Sequence, residues 1–242
     1  MRVWDVHSME TLQVLGLGSL EVGVSGVSFS VLNKGAYVGA VDSSREKVMH
    51  MWDWRANELL SKVNVDADTI AGISFHPFDN NLVITHGKSH LAFWNRKKDG
   101  FFARADLADS AATYQCLAYL ESGDVVIGDS EGNCTVSVSY YQCPLLGNIS
   151  CYSVSADGDY YRTVQWAGHS RGGVSSIMVL AQGTLLSAGD RDRRVVAWDS
   201  NRDFVVIGNY QTVDTGLNIN ETVVIFHNHH GQSIKTAKCH CR

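Results

Sequence analysis

The sequence predicts an all-β protein made of repeated four-stranded units, and three observations carry that expectation. Short apolar runs alternate with a period of two, and no stretch shows a convincing 3.6-residue period. Among 242 residues there are 22 glycines but only two prolines, set among many Val, Ile, Thr, Tyr and Trp. That composition favours strands joined by glycine-centred turns. A tryptophan followed by Asp or Asn also recurs, as Trp4-Asp5, Trp52-Asp53, Trp94-Asn95 and Trp198-Asp199. Together these imply a WD40-type β-propeller of four to five four-stranded blades, forming an incomplete ring.

The fullest unit is residues 185–199, LLSAGDRDRRVVAWD, with Gly168-His169 upstream. One apolar run carries Ser187, a polar turn carries Asp192, and a second run closes on Trp198. A histidine in the loop entering the first strand can bond to Ser187 and Asp192, with the Trp198 indole completing the set. Such buried groups need one another, and losing one costs about 1–3 kcal/mol. His169, Ser187, Asp192 and Trp198 are therefore expected to form a structural network.

The other units run in chain order. Trp4-Asp5 ends a third strand, so the chain starts inside a repeat, and residues 11–15 form that unit's outer strand. Strands are expected at 24–29, 36–41 and 48–54, then at 70–76, 82–85 and 90–94, then at 115–120, 124–128 and 134–138. Trp4, Trp52, Trp94, Ser137 and Trp198 would share one slot, at steps of 48, 42, 43 and 61 residues. The long step is assigned to an unpatterned insertion at 139–158, after which 160–166 resumes as an outer strand. Blades thus fill 1–207. Residues 208–242 read as a divergent partial blade, with strands at 204–210 and 222–226 and a disordered tail from 227. Outside the fullest unit the polar set is fragmentary, so the other blades are expected to rely on apolar packing.

A net charge of −5 argues against a general nucleic-acid binder. No apolar run reaches the roughly 18–20 residues of a membrane span. The first residues lack a basic head and carry Asp5 and Glu10, which is not a secretory signal. The six cysteines include no C-x-x-C pair, so a reduced cytoplasmic state without cofactor or metal is expected.

Several segments carry a closer likeness: TLQVLGLGSLEVGV (11–24), VMHMWDW (48–54), ISFHPFDNNLVITHGKSHLAFW (73–94), QCLAYLESGDVVIGDSEG (115–132) and LLSAGDRDRRVVAWD (185–199). In these the chain resembles the echinoderm microtubule-associated-protein-like (EMAP-like) family. Phe75-His76-Pro77 and Gly87-Lys88-Ser89-His90-Leu91 are the strings most particular to it. The resemblance covers roughly residues 1–207 with gaps and fails at 139–158 and beyond about 208. It implies a portion of one of two joined propellers, association with microtubules and the cytoskeleton, and tubulin as partner. The family's short hydrophobic motif and trimerising coiled coil are not in this sequence.

Sharper readings meet plainer ones. Gly168-His169-Ser170-Arg171-Gly172 matches G-x-S-x-G, which would make Ser170 a hydrolase nucleophile, but that elbow requires a following helix and VSSIMV reads as a strand. His227, His229, His230, Cys239, His240 and Cys241 suit zinc by type, yet Cys239-x-Cys241 is too close for the usual knuckle. Gly16-x-Gly18 lacks the third glycine of a dinucleotide loop. The turns at 43–46, 87–89, 129–132 and 190–194 should emerge on one face. Lys88, Arg191, Arg193 and Arg194 make them candidate contacts for an acidic partner such as tubulin, or for another protein if the module is a scaffold.

Overall fold

The computed structural model describes residues 1–20, 22–107, 113–130, 147–154, 160–211, 221–227 and 233–240. Four four-stranded antiparallel sheets succeed one another as meanders. A two-stranded sheet precedes them, β1 (Arg2–Trp4) with β2 (Thr11–Val14). The second unit holds β3 (Val24–Phe29), β4 (Tyr37–Asp42), β5 (Val48–Asp53) and β6 (Glu58–Asn64). The third holds β7 (Thr69–His76), β8 (Asp79–Lys88), β9 (His90–Arg96) and β10 (Phe102–Asp106). The fourth holds β11 (Tyr114–Tyr119), β12 (Val125–Asp129), β13 (Gly147–Val154) and β14 (Tyr160–His169). The fifth holds β15 (Val174–Val179), β16 (Thr184–Gly189), β17 (Arg194–Asp199) and β18 (Val205–Gln211). A hairpin of β19 (Glu221–His227) and β20 (Ser233–His240) comes last.

The repeat is written into the backbone as well as the side chains. In all four complete blades the innermost pair carries a bulge at one position, the extra residue being Ser25, Ala71, Gln115 or Ser175. Ser25 and Ser175 use it alike, donating to the corresponding carbonyls of Val41 and Ala188. A second bulge faces the tryptophan slot in three outer strands, with Leu60, Thr163 and Ile207 as the extra residues. Bulges increase twist and turn an outer edge away from further pairing.

That second bulge corrects one sequence assignment. In the fourth blade it sits opposite Tyr152, as it sits opposite Trp52 and Trp198 elsewhere. Tyr152 therefore fills the slot given to Ser137, and the steps from Trp94 to Tyr152 and on to Trp198 become 58 and 46 residues. The expected strand at 134–138, and Ser137 with it, lies outside the described residues. The third strand is instead β13, inside the stretch read as insertion. Its signal is hidden because Ile149, Ser150, Cys151 and Tyr152 are all buried. A strand covered on both faces shows no alternation.

The tail also differs from expectation. Residues 233–240, expected to be disordered, pair along β19 in an antiparallel ladder. Their apolar content is too low to read alone, and the partner VVIF run supplies the strand preference.

The core consists of layers between consecutive blades. Met49, Met51, Ile73, Phe75 and Trp94 fill the layer between the second and third. Phe93, Tyr114, Ile127 and Tyr152 fill the next, and Ile149, Cys151, Val174 and Trp198 the one after. The middle strands β4, β5, β9, β12 and β17 are thus mostly buried between neighbours, whereas β3 leaves Val24, Val27 and Phe29 exposed. No helix among the described residues is long and apolar enough to cross a membrane.

Candidate functional site

At one end of the fifth blade, β14 delivers His169, β16 delivers Ser187, β17 delivers Trp198, and the β16–β17 turn delivers Asp192. His169 Nδ1 lies 2.9 Å from Asp192 Oδ2, so that nitrogen carries the proton and donates to the carboxylate. Nε2 is then an acceptor, and the Ser187 hydroxyl donates to it at 2.9 Å. Trp198 Nε1 donates to the same hydroxyl oxygen at 2.9 Å. The other Asp192 oxygen receives the Arg194 amide at 3.0 Å, and Oδ2 also receives the Ser170 amide. His169 and Ser187 are buried.

This Ser–His–Asp constellation has triad distances but no access for a substrate. Ser187 is 1% exposed and its oxygen is already engaged by an indole. Ser170 is exposed, but both nitrogens of the adjacent His169 are committed elsewhere. The chain after Ser170 makes a turn and then the strand β15, not the helix of a nucleophile elbow.

The third blade contains a set that sequence reasoning missed. Thr85 occupies the position of Ser187, and Trp94 Nε1 donates to its hydroxyl at 2.7 Å. The histidine arrives from the first residue of β9 instead of from the end of the preceding blade's outer strand, with His90 Nε2 2.7 Å from Thr85 Oγ1. Burial first, and the Arg104 guanidinium second, push His90 down to about 4, so it is neutral and accepts the threonine proton. In the second blade Asp42 takes over from the turn aspartate. It receives the Val48 amide at 3.0 Å, the counterpart of the Arg194 amide, along with both donors of Ser44. The expectation that these blades rest on apolar packing is thus corrected for both.

The partner-facing candidates separate into two groups. Lys88 lines a cleft with Arg45, Glu46, Asp66 and Asp68, where the second and third blades meet. The cleft is of mixed charge. Arg191, Arg193 and Arg194 lie instead on the exposed turn of the fifth blade, and the structure adds Arg171. Gly172, at φ +69°, lets the preceding loop fold so close that a Cβ there would overlap Asp190 and crowd Arg191. Asp190, itself exposed, accepts the Gly173 amide at 2.9 Å, whereas Asp192 turns inward to His169. Both carboxylates accept hydrogen bonds from within the fold, and all four arginines are exposed. Only the glycine spacing in the sequence hints that Arg171 joins them.

Comparison with known proteins places the chain. The family profile described as the echinoderm microtubule-associated protein first β-propeller matches residues 1–238. The chain belongs to the echinoderm microtubule-associated protein family. It is 33% identical over 207 residues to rat echinoderm microtubule-associated protein-like 1, covering 83% of this chain and 23% of that protein. It is 37% identical over 207 residues to the rat like-2 protein, covering 83% and 29%. For the Xenopus laevis like-4 protein the identity is 31% over 223 residues, with 88% and 23% covered. The chain thus spans about a quarter of the length of these relatives. In fold it matches the β-propeller domain of Myceliophteria thermophila Cps50 (Swd1), with a TM-score of 0.68 at 14% identity, over 97% of this chain and 78% of the other.

The strings most particular to the EMAP-like family have physical work in this propeller. His76 accepts the Phe78 amide at Nδ1 and donates from Nε2 to the Gly123 carbonyl at 2.9 Å, tying the third blade to the fourth. Gly87 packs against β7 so closely that a Cβ would overlap the Thr69 carbonyl oxygen, and His90 belongs to the Thr85 set. Among the described residues no cluster of three or more His, Cys, Asp or Glu could hold a metal ion. His229, His230 and Cys241 lie outside the described residues.

Proposed function

We propose that this chain is a non-enzymatic protein-interaction module of the cytoplasm and cytoskeleton whose partner is tubulin or the microtubule. In this reading residues 1–207 are the blade array and 208–242 a divergent partial blade. Family membership supports the reading, and one structural observation carries the choice of face. Four exposed arginines, Arg171, Arg191, Arg193 and Arg194, stand at one end of the fifth blade, where Asp192 is turned inward to His169 and the exposed Asp190 accepts the Gly173 amide. An acidic protein such as tubulin meets a local positive field there despite the net charge of −5.

Co-sedimentation of the full-length protein with microtubules tests this. Replacing Arg191, Arg193 and Arg194 together by Glu should cut the pelleted fraction several-fold, with added salt acting in the same direction. An unchanged pellet would exclude the arginine turn. No pelleting of the unaltered protein at low salt would exclude the microtubule and leave a scaffold for another protein.

A further inference from the structure

The opposite end of the blades has another character. It is formed by the turns between first and second strands, and three of these are latched together. The Asn33 amide donates to Asn80 Oδ1 at 3.3 Å, joining the second and third blades. His76 joins the third and fourth through Gly123. On this tied platform Val31, Leu32 and Phe78 are 59%, 57% and 55% exposed. Phe78 lies on the fourth blade's turn, where a Cβ on Gly123 would come within 3.4 Å of its ring. Large apolar side chains grouped on a rigid surface, rather than scattered singly, mark an interaction site.

The charges around them point one way. Asp79, Glu121 and Asp124 stand on the turns of the third and fourth blades, against a single cation, Lys34, on the turn of the second. None of these carboxylates forms an ion pair among the described residues. Asp79 and Asp124 bond only to a neighbouring amide and to Ser122, and both bear on the half-buried Tyr160 hydroxyl. We propose that this platform is a second docking surface, which takes an extended or amphipathic protein segment whose apolar anchors are flanked by Lys or Arg. The anchors cover Val31, Leu32 and Phe78, and the cations meet Asp79, Glu121 and Asp124. The site is distinct from the arginine turn and selects the opposite charge.

The probes are two fluorescein-labelled amphipathic peptides of about 15 residues, with identical leucines but either lysines or glutamates between them. Fluorescence anisotropy with the purified chain should show binding of the lysine peptide and about tenfold weaker binding of the glutamate peptide. Phe78→Ser and Leu32→Ser should each weaken the lysine peptide about tenfold while leaving the melting curve in place, because both side chains are exposed. Asp79→Lys with Glu121→Lys should reverse the preference. Equal binding of the two peptides, or indifference to Phe78→Ser, overturns the proposal. Arg191→Glu should leave this binding unchanged, so failure here is separable from failure of the microtubule reading.

Discussion

His90 Nε2 lies 2.7 Å from Thr85 Oγ1, an oxygen that also receives the Trp94 indole proton at 2.7 Å. In the fifth blade His169 and Trp198 converge on Ser187 in the same way, although that histidine enters from another strand. Two sequence solutions therefore satisfy one requirement: a hydroxyl on the second strand that accepts from an indole and is hydrogen-bonded to an imidazole nitrogen. Thr85→Val keeps the shape and removes the hydroxyl, leaving two buried polar groups without a partner. The expected cost is about 1–3 kcal/mol. At about 2–4 °C per kcal/mol for a domain of this size, thermal melts resolve it. A double-mutant cycle with His90→Ala should show coupling above roughly 0.5 kcal/mol, and zero coupling would mean that the contact carries no stability.

The fifth blade gives a local test as well as a global one. His169→Ala removes the group that holds Asp192 inward, while the Ser170 and Arg194 amides still point at the carboxylate. Stability should fall by about 1–3 kcal/mol. Amide exchange at Ser170 and Arg194 should speed up more than in the second blade, because the loss is confined to this turn. Equal acceleration throughout the chain would mean that the turn is not a separate unit.

These sets explain what is legible in the sequence. The Trp-Asp pairs announce the slot because they are local, and the polar set of the fifth blade shows because its members stand in the usual order. The Thr85–His90 set is not legible, since its histidine comes from the strand and nothing local marks that position. Strand β13 escapes detection because burial on both faces erases its alternation. Arg171 escapes it because its neighbours across the turn are some twenty residues away in sequence and are brought close by Gly172.

Acid should destabilise the protein below about pH 6.5. His50, His86 and His90 are buried, and burial lowers each of them from the ordinary value of 6.5, His90 to about 4. The unfolded chain then binds more protons than the folded one between those values, so stability rises with pH through that window and is lost as pH falls. Asp42 acts further down. Burial works to raise it, but hydrogen bonds from Ser44 and Val48 outweigh this and hold it below its ordinary value. Its contribution persists above the ordinary carboxylate value and disappears as pH falls through the lowered one. Melting temperature measured from pH 7.5 to 4.5 should decline, and the decline should be shallower in His90→Gln. A flat profile would show that the buried imidazoles are not excluded from protonation.

Gly87 offers a steric prediction that does not depend on turn conformation. A methyl group there would overlap the Thr69 carbonyl oxygen and press on Ile70 Cα, both backbone atoms of the adjacent strand β7. Neither can rotate aside, so Gly87→Ala should cost more than about 3 kcal/mol or abolish folding. Gly35→Ala is the control. It carries only the strain of φ +74°, with Phe29 at an ordinary 3.8 Å, and should cost about 1 kcal/mol. Comparable losses in both variants would rule out the close approach of β7 and β8 as the reason for glycine at position 87.

Cys116 should be chemically silent while the protein is folded. Its side chain lies at the start of β11, where the thiol donates to the Val174 carbonyl of the fifth blade at 3.3 Å. Burial, against a lesser pull from the Gly128 backbone, pushes the thiol up to about 12. The thiolate is the reacting species, and at pH 8 only about one thiol in ten thousand would be ionised at such a value. Native-state alkylation at pH 8 followed by peptide mapping should leave Cys116 unmodified over hours, whereas the unfolded chain should react within minutes. Because the thiol bridges two blades, its labelling rate also reports their separation. Addition of denaturant below the main transition should leave it protected if the fourth and fifth blades unfold together. Early labelling would show that the interface between them opens first.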